Sequence, residues 1–293
     1  MPPRKHQHAS LWRQVDICNS EALAEAVRQF SPEVVLHFGA RTDLEGRRIG
    51  DYEANIKGVE ALIASLSVLP ALKRVVFASS RLVCRIGYQP LHEADYCPST
   101  PYGESKVIGE QLVRSRTASI PAPWLIVRPT SIWGPWFEEP YKTFFMSVIK
   151  GRYVHPGKEP IYKSFGYVGN TVHQIQRLLE APAADVSERT FYLADYPPIE
   201  VGRLAEAIQQ AAGTARIRRV PPGVLRLAAG VGDVLKYLGM QNPPLTSFRL
   251  DNLLTPMVHD LESLSRIVGD LPYSMEEGVR HTVDWLRSRG EIR

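Results

Sequence analysis

Residues 73–80 read KRVVFASS, and two other runs share their character, EVVLHFG at 33–39 and WLIVRP at 124–129. Each is short, rich in Val, Ile, Leu or Phe, and bounded by Pro, Ser or Gly, as strands buried on both faces of a parallel sheet are. Helix-length segments lie around them at 20–30, 52–69 and 102–116. Ser20, three residues ahead of Leu23 and followed by Glu21, is the expected N-cap of the first. Strands alternating with helices make βαβ units, so the expected fold is α/β, a doubly wound parallel sheet.

After Pro135 the texture changes. Trp136, Phe137, Tyr141, Phe144, Phe145 and Tyr153 crowd one stretch, where packing is a better reading than a ligand cage. One more strand is expected at 190–194, with helices at 201–212, 222–238 and 274–289. The second half therefore reads as a smaller, mostly helical part packed on the sheet, with a cleft between.

The 293 residues are 44% hydrophobic and 23% charged, with 21 Gly and 23 Pro, which excludes collagen-like, low-complexity and disordered chains. Lys plus Arg number 35 against 31 for Asp plus Glu, and they are scattered, so nucleic acid is not an expected partner. An anionic small molecule stays open. Cys18, Cys84 and Cys97 form neither a disulfide framework nor a zinc site, and a reducing, cytoplasmic setting is expected. His6 and His8 sit in MPPRKHQHAS, read as a frayed, solvated arm, and no metal is expected. The run from Val224 to Leu238 is interrupted by Arg226, Asp233 and Lys236 and is too short to span a bilayer, so no membrane is expected. No signal peptide follows Met1.

Tyr102 and Lys106 stand four apart at the head of an expected helix and so share a face. A nearby ammonium stabilises a phenolate, and lowering a tyrosine pKa by ~3 units takes about 4 kcal/mol of differential interaction. Such a Tyr exchanges a proton with a substrate hydroxyl while hydride moves to or from a nicotinamide. The spacing alone is weakly specific; its context is what counts. Ser79 and Ser80 end KRVVFASS, which places a hydroxyl at the C-terminal edge of the sheet, where open α/β proteins bind ligands.

VDICN with Asp16, LHFGA with His37, DYEANIKG with Asn55, VVFASS, YGESK and IVRPTSIWGP follow one another in that order. In order and spacing they resemble the extended short-chain dehydrogenase/reductase family, in particular its NAD-dependent epimerase/dehydratase branch. The likeness runs from about Val15 to Arg289. It implies residues 1–135 as an incomplete, Rossmann-like NAD(P)-binding domain and residues 136–293 as mainly substrate-binding, with elements returning to the first. It implies NAD or NADP as coenzyme, with Ser80 bonding the reacting oxygen, Tyr102 as acid/base and Lys106 holding the nicotinamide ribose. Asp16 and Ile17 would meet the adenine, while Phe38, Gly39 and Ala40 would pass beneath the pyrophosphate and ribose. Asn55 would brace the central helix, Pro129 and Thr130 would approach the nicotinamide, and Ser131 and Arg249 would join Ser80 at the substrate.

Plainer readings stand beside these. Asp16 also reads as a loop charge, Ser79 and Ser80 as a strand end, Asn55 as structural, and His37 as a core histidine without a chemical role. The family's glycine-rich turn is a further departure: no GxxGxxG occurs in the sequence, and Met1 falls just before the family's third strand. On that ground a fragment, a misplaced start or a degenerate member is expected, with open apolar edges and weak NAD binding. Arg81 and Leu82 stand where the family's dehydratases have Asp-Glu, which disfavours dehydration. Cys84 with Arg85, Ser131 and Asn170 replace the usual Tyr-Gly, Asn and Asp.

The expected activity is NAD(P)-dependent epimerisation or reduction at a secondary alcohol, foremost of a nucleotide-sugar, with Arg249, Lys163 and Arg152 as diphosphate candidates. The alternatives are a 3β-hydroxysteroid-dehydrogenase-like enzyme, suggested by VPPGVLRLAAGVGDVLKYLG and PPLTSFRL, and a non-catalytic family member. A small-molecule substrate and a homodimer complete the expected partners.

Overall fold

A computed structural model describes residue 3, residues 5–240 and residues 245–292. The calls on Met1, Pro2 and Arg4 of the opening arm, on Pro243 and Pro244 of PPLTSFRL and on Arg293 lie outside the described residues. In chain order the first elements are α1 (Ser20–Phe30), β1 (Val34–His37), α2 (Glu53–Leu66), β2 (Arg74–Ala78), α3 (Pro101–Ser115) and β3 (Trp124–Pro129). They continue with β4 (Ser131–Trp133), α4 (Tyr141–Ile149), β5 (Val154–Pro156), β6 (Tyr162–Lys163), β7 (Phe165–Tyr167), α5 (Val168–Glu180) and α6 (Ala183–Val186). The last are β8 (Arg189–Leu193), β9 (Ile199–Glu200), α7 (Val201–Ala212), β10 (Arg218–Val220), α8 (Pro222–Tyr237), α9 (Ser247–Leu254), α10 (Glu262–Val268) and α11 (Met275–Ser288). Residues 1–129 with 179–191 form one compact unit, and residues 130–178 with 192–293 the other.

In the first unit the strands lie in the order β1-β2-β3-β8. β1 pairs parallel with β2, and β2 with β3, in the register Val75↔Trp124 to Ala78↔Val127. Successive side chains of a strand point to opposite faces. Val75, Phe77, Trp124 and Ile126 join Val59, Leu62, Ile63 and Leu66 of α2 and Val113 of α3 in one core. Val76, Leu125 and Val127, on the other face, are equally buried. Burial on both faces explains why these strands read as continuous apolar runs. β1 is an edge: Val34 is 41% and Leu36 45% exposed, in keeping with the open apolar edge expected.

Local signals set the helix ends. Asn19, not Ser20, caps α1; its side-chain oxygen accepts from the Ala22 N–H at 3.0 Å, and Ser20 is the first helical residue. Both residues are good caps, and the aspartate turn at Asp16 to Asn19 decides which one sits outside the helix. Thr100 caps α3 by accepting from Gly103 N–H at 3.0 Å, and Pro101 occupies the first turn, where its missing N–H costs nothing.

The second unit is richer in strand than its sequence texture suggested. β4 pairs with β7, β5 with β10 and β6 with β9, all short. Trp133, Phe145, Tyr167, Leu204, Ile208, Val279 and Val283 form its core, with Tyr141, Phe144 and Tyr153 against it, so these aromatics pack as expected.

Candidate active site

Ser80 follows β2 in extended conformation and caps a short 3-10 turn, Arg81–Val83. Its Oγ accepts from the Leu82 N–H at 3.1 Å. Ser80 and Tyr102 are 8% and 7% exposed. What allows this approach is Gly103: a Cβ there would stand 2.2 Å from the Leu82 carbonyl oxygen, so the head of α3 reaches the 80–83 turn only because residue 103 has no side chain. Sequence reading passed over this glycine, although the YGESK motif contains it.

Lys106 lies one turn further along α3. Its Nζ donates to the Ala78 carbonyl at 3.0 Å and stands 6.0 Å from the centre of the Tyr102 ring. Burial pushes the Lys106 pKa down to about 8, with Glu110 pulling the other way. Burial likewise raises the Tyr102 phenol above its usual value, and the neighbouring Ser80 hydroxyl offsets only part of this. The expectation of a phenol depressed by Lys106 is therefore reversed: desolvation dominates both groups. His37 is held neutral by desolvation, then by the Lys106 charge, with its pKa at about 4; it is half-buried at the end of β1 and makes an edge contact with Phe77, outside the core cluster where a core histidine was expected.

Asn55, buried on α2, makes three hydrogen bonds. Its Oδ1 accepts from the Arg41 N–H at 2.7 Å, and its Nδ2 donates to the Arg41 carbonyl and the Ser105 Oγ, each at 3.0 Å. Ser105 in turn donates to the Tyr102 carbonyl at 2.6 Å. The loop after β1, helix α2 and the start of α3 are thus tied at one point. Tyr52 backs Tyr102 edge-on at 5.8 Å and donates to the Asp43 carbonyl, a contact the sequence reading did not foresee.

The other named residues lie elsewhere. Ile17 packs on Gly39 and Gly58, where added Cβ atoms would meet its Cδ1 at 3.3 and 2.8 Å. Asp16 is exposed and accepts from the Cys18 N–H at 2.9 Å, the geometry of a loop turn. Phe38 and Gly39 are exposed, Ala40 is half-buried, and Pro129 closes β3. Thr130, Ser131 and Arg249 belong to the second unit. The Thr130 hydroxyl donates to the Leu193 carbonyl at 2.9 Å, Ser131 is buried at the start of β4, and Arg249 is exposed on α9. Lys163 is buried and donates to the Asn252 carbonyl. Leu227, within VPPGVLRLAAGVGDVLKYLG, is 76% exposed.

The sequence profile of the NAD dependent epimerase/dehydratase family matches residues 2–194. The chain belongs to that family. Among curated relatives it is similar to a 2-alkyl-3-oxoalkanoate reductase of Stenotrophomonas maltophilia, at 25% identity over 90% of this chain and 83% of the relative. It is also similar to the N-acetyl-alpha-D-glucosaminyl-diphospho-ditrans,octacis-undecaprenol 4-epimerase of Escherichia coli O157:H7, at 22% identity over 96% and 85%. A crystal structure of UDP-glucuronic acid 4-epimerase from Bacillus cereus with UDP-glucuronic acid and NAD shares its fold at TM-score 0.69 and 15% identity, covering 94% of this chain and 81% of that one.

The epimerase/dehydratase family is one of NAD(P)-dependent enzymes, and this chain is an enzyme of the oxidoreductase and isomerase kind. Its residues fit the nicotinamide-ribose end of that coenzyme. Lys106 is a buried ammonium with three N–H donors, of which the Ala78 carbonyl takes one. Among the described residues, no three His, Cys, Asp or Glu side chains gather as a metal site, and no helix is long and apolar enough to cross a membrane.

Proposed function

We propose that this chain interconverts a secondary alcohol and a ketone on a nucleotide-sugar, as an epimerase or reductase. The observation that carries the reading is the burial of Ser80 and Tyr102, with the Lys106 ammonium, held by the Ala78 carbonyl, 6.0 Å from the centre of the Tyr102 ring. Bound NAD(P) supplies the hydride acceptor or donor. Ser80 donates to the reacting oxygen and fixes its position against the Tyr102 Oη. Tyr102, a phenol kept protonated at neutral pH by burial, gives its proton to the carbonyl oxygen during reduction and recovers it from the alcohol during oxidation. Lys106 uses its remaining N–H donors on the ribose diol. Asp16, Ile17, Phe38, Gly39 and Ala40 line the coenzyme's further course, with Pro129 and Thr130 toward the nicotinamide. The first unit serves the coenzyme and the second the substrate.

A diphosphate needs charge-assisted donors, and exposed Arg249 with Ser131 is the proposed pair. Lys163 is the weaker candidate, since it is buried. The likeness to an epimerase of a diphosphate-linked sugar supports this substrate class. A second reading, a keto or hydroxy compound with an apolar body, draws support from the likenesses to the oxoalkanoate reductase and to 3-beta-hydroxysteroid dehydrogenases. Turnover separates the two, with millimolar NAD or NADP supplied for UDP-sugars and a 3β-hydroxysteroid and millimolar NADH or NADPH for a 3-oxoalkanoate. Conversion of a UDP-sugar is expected. Conversion of an apolar compound alone would move the substrate to the second reading, and conversion of none would set both substrate classes aside.

A further inference from the structure

Glu110 and Arg128 are both buried, and the mechanism above uses neither. Glu110 sits four residues beyond Lys106, as Lys106 sits four beyond Tyr102, so the three side chains follow one face of α3. The Glu110 Oε1 accepts from the Ser79 Oγ at 2.5 Å and the Arg128 Nε at 2.8 Å; its Oε2 accepts from the Arg128 Nη2 at 2.7 Å and the Tyr96 hydroxyl at 3.0 Å. The Arg128 Nη2 also donates to the Glu93 carbonyl, and its guanidinium lies 5.6 Å from the centre of the Tyr96 ring. Ser79 is held twice, through this side-chain bond and through its N–H to the Val127 carbonyl at 2.8 Å. Its neighbours are Ala78, whose carbonyl binds Lys106, and Ser80.

We infer that Glu110, anchored by Arg128, is a positioning residue: it clamps the end of β2 to α3 through Ser79 and thereby sets Ser80 and Lys106 against Tyr102. This rests on the catalytic reading of those three residues. A fully desolvated ion pair gives little net stability over apolar residues of equal volume, so stability alone does not account for four hydrogen bonds converging beside Ser80. Glu110 also reaches Lys106 electrostatically. The groups facing that ammonium are Tyr102 and Glu110 on its own helix, neutral His37 on β1, and the Ala78 carbonyl on β2. Glu110 is therefore the carboxylate that favours its charged form.

The test uses three variants of the whole chain, with two readouts. The first readout is the titration midpoint of Lys106, followed by NMR of protein labelled at the lysine side chains, with Lys106→Arg identifying the resonance. The second is turnover. Glu110→Gln, and the pair Glu110→Leu/Arg128→Met where Gln leaves Arg128 too poorly matched to fold, should lower the Lys106 midpoint measurably below about 8. They should also cut kcat at least tenfold, with KM changed less. Ser79→Ala keeps the ion pair and breaks only its link to β2. It should lower kcat several-fold and leave the Lys106 midpoint in place. Should neither charge variant fold, Ser79→Ala decides alone, and wild-type kcat there overturns the clamp. A folded charge variant with an unmoved midpoint and full turnover overturns it too. Tyr102→Phe, run alongside, reports on the catalytic reading separately, since the Lys106 midpoint is readable whether or not the protein turns over.

Discussion

The Lys106 ammonium donates to the Ala78 carbonyl oxygen at 3.0 Å, and this bond joins the helix that carries Tyr102 to the end of the strand that leads into Ser79 and Ser80. The bond comes at a cost in solvation. With its folded pKa down at about 8 from an ordinary 10.5, Lys106 destabilises the fold while it is charged; this penalty is full below pH 8 and fades as the pH rises from 8 toward 10.5. Lys106→Met should therefore raise stability by about 1–3 kcal/mol at pH 7, the unpaired Ala78 carbonyl limiting the gain, and the difference should narrow above pH 8. Urea melts at pH 7 and pH 9.5 check both the sign and the trend. The same variant should lose coenzyme affinity.

Gly103→Ala should displace the 80–83 turn, because the new methyl meets backbone rather than a flexible side chain. A loss of about 1–3 kcal/mol in stability is expected, with a fall in turnover larger than that loss of folded protein explains. Thermal melts and assays on the folded fraction measure the two effects separately.

Asn55→Ala removes an acceptor for the Arg41 N–H and donors for the Arg41 carbonyl and the Ser105 Oγ. Buried polar groups left unpaired cost about 1–3 kcal/mol. Asn55→Asp keeps the acceptor and loses the donors, so it should fall between wild type and Ala in a urea titration.

Much of this was legible in the sequence because it depends on period and composition. KRVVFASS and WLIVRP are uninterrupted apolar runs since β2 and β3 are covered on both faces, and α7 starts and stops where its pattern does. YGESK placed Tyr102 and Lys106 on one helical face. Spacing, however, says nothing about solvent. The direction of the Tyr102 shift follows from burial, which tertiary packing alone decides. β4, β5 and β7 are three residues long, too short to show a period of two. Gly103 is ordinary as sequence and acquires meaning only against the Leu82 carbonyl.

Since Tyr102 is protonated at neutral pH, ketone reduction should hold its rate through neutrality, while alcohol oxidation, which needs the phenolate, should climb as the pH rises. Parallel pH profiles in the two directions check this. Equal profiles would show that another group moves the proton.

The central claim is that Tyr102 moves the proton while its neighbours hold the reactants. The most direct measurement is the turnover number of Tyr102→Phe beside its coenzyme dissociation constant, with wild type in the same buffer. Loss of the hydroxyl should lower kcat by about 100-fold or more and leave coenzyme binding within about two-fold. Wild-type turnover in Tyr102→Phe would contradict the account.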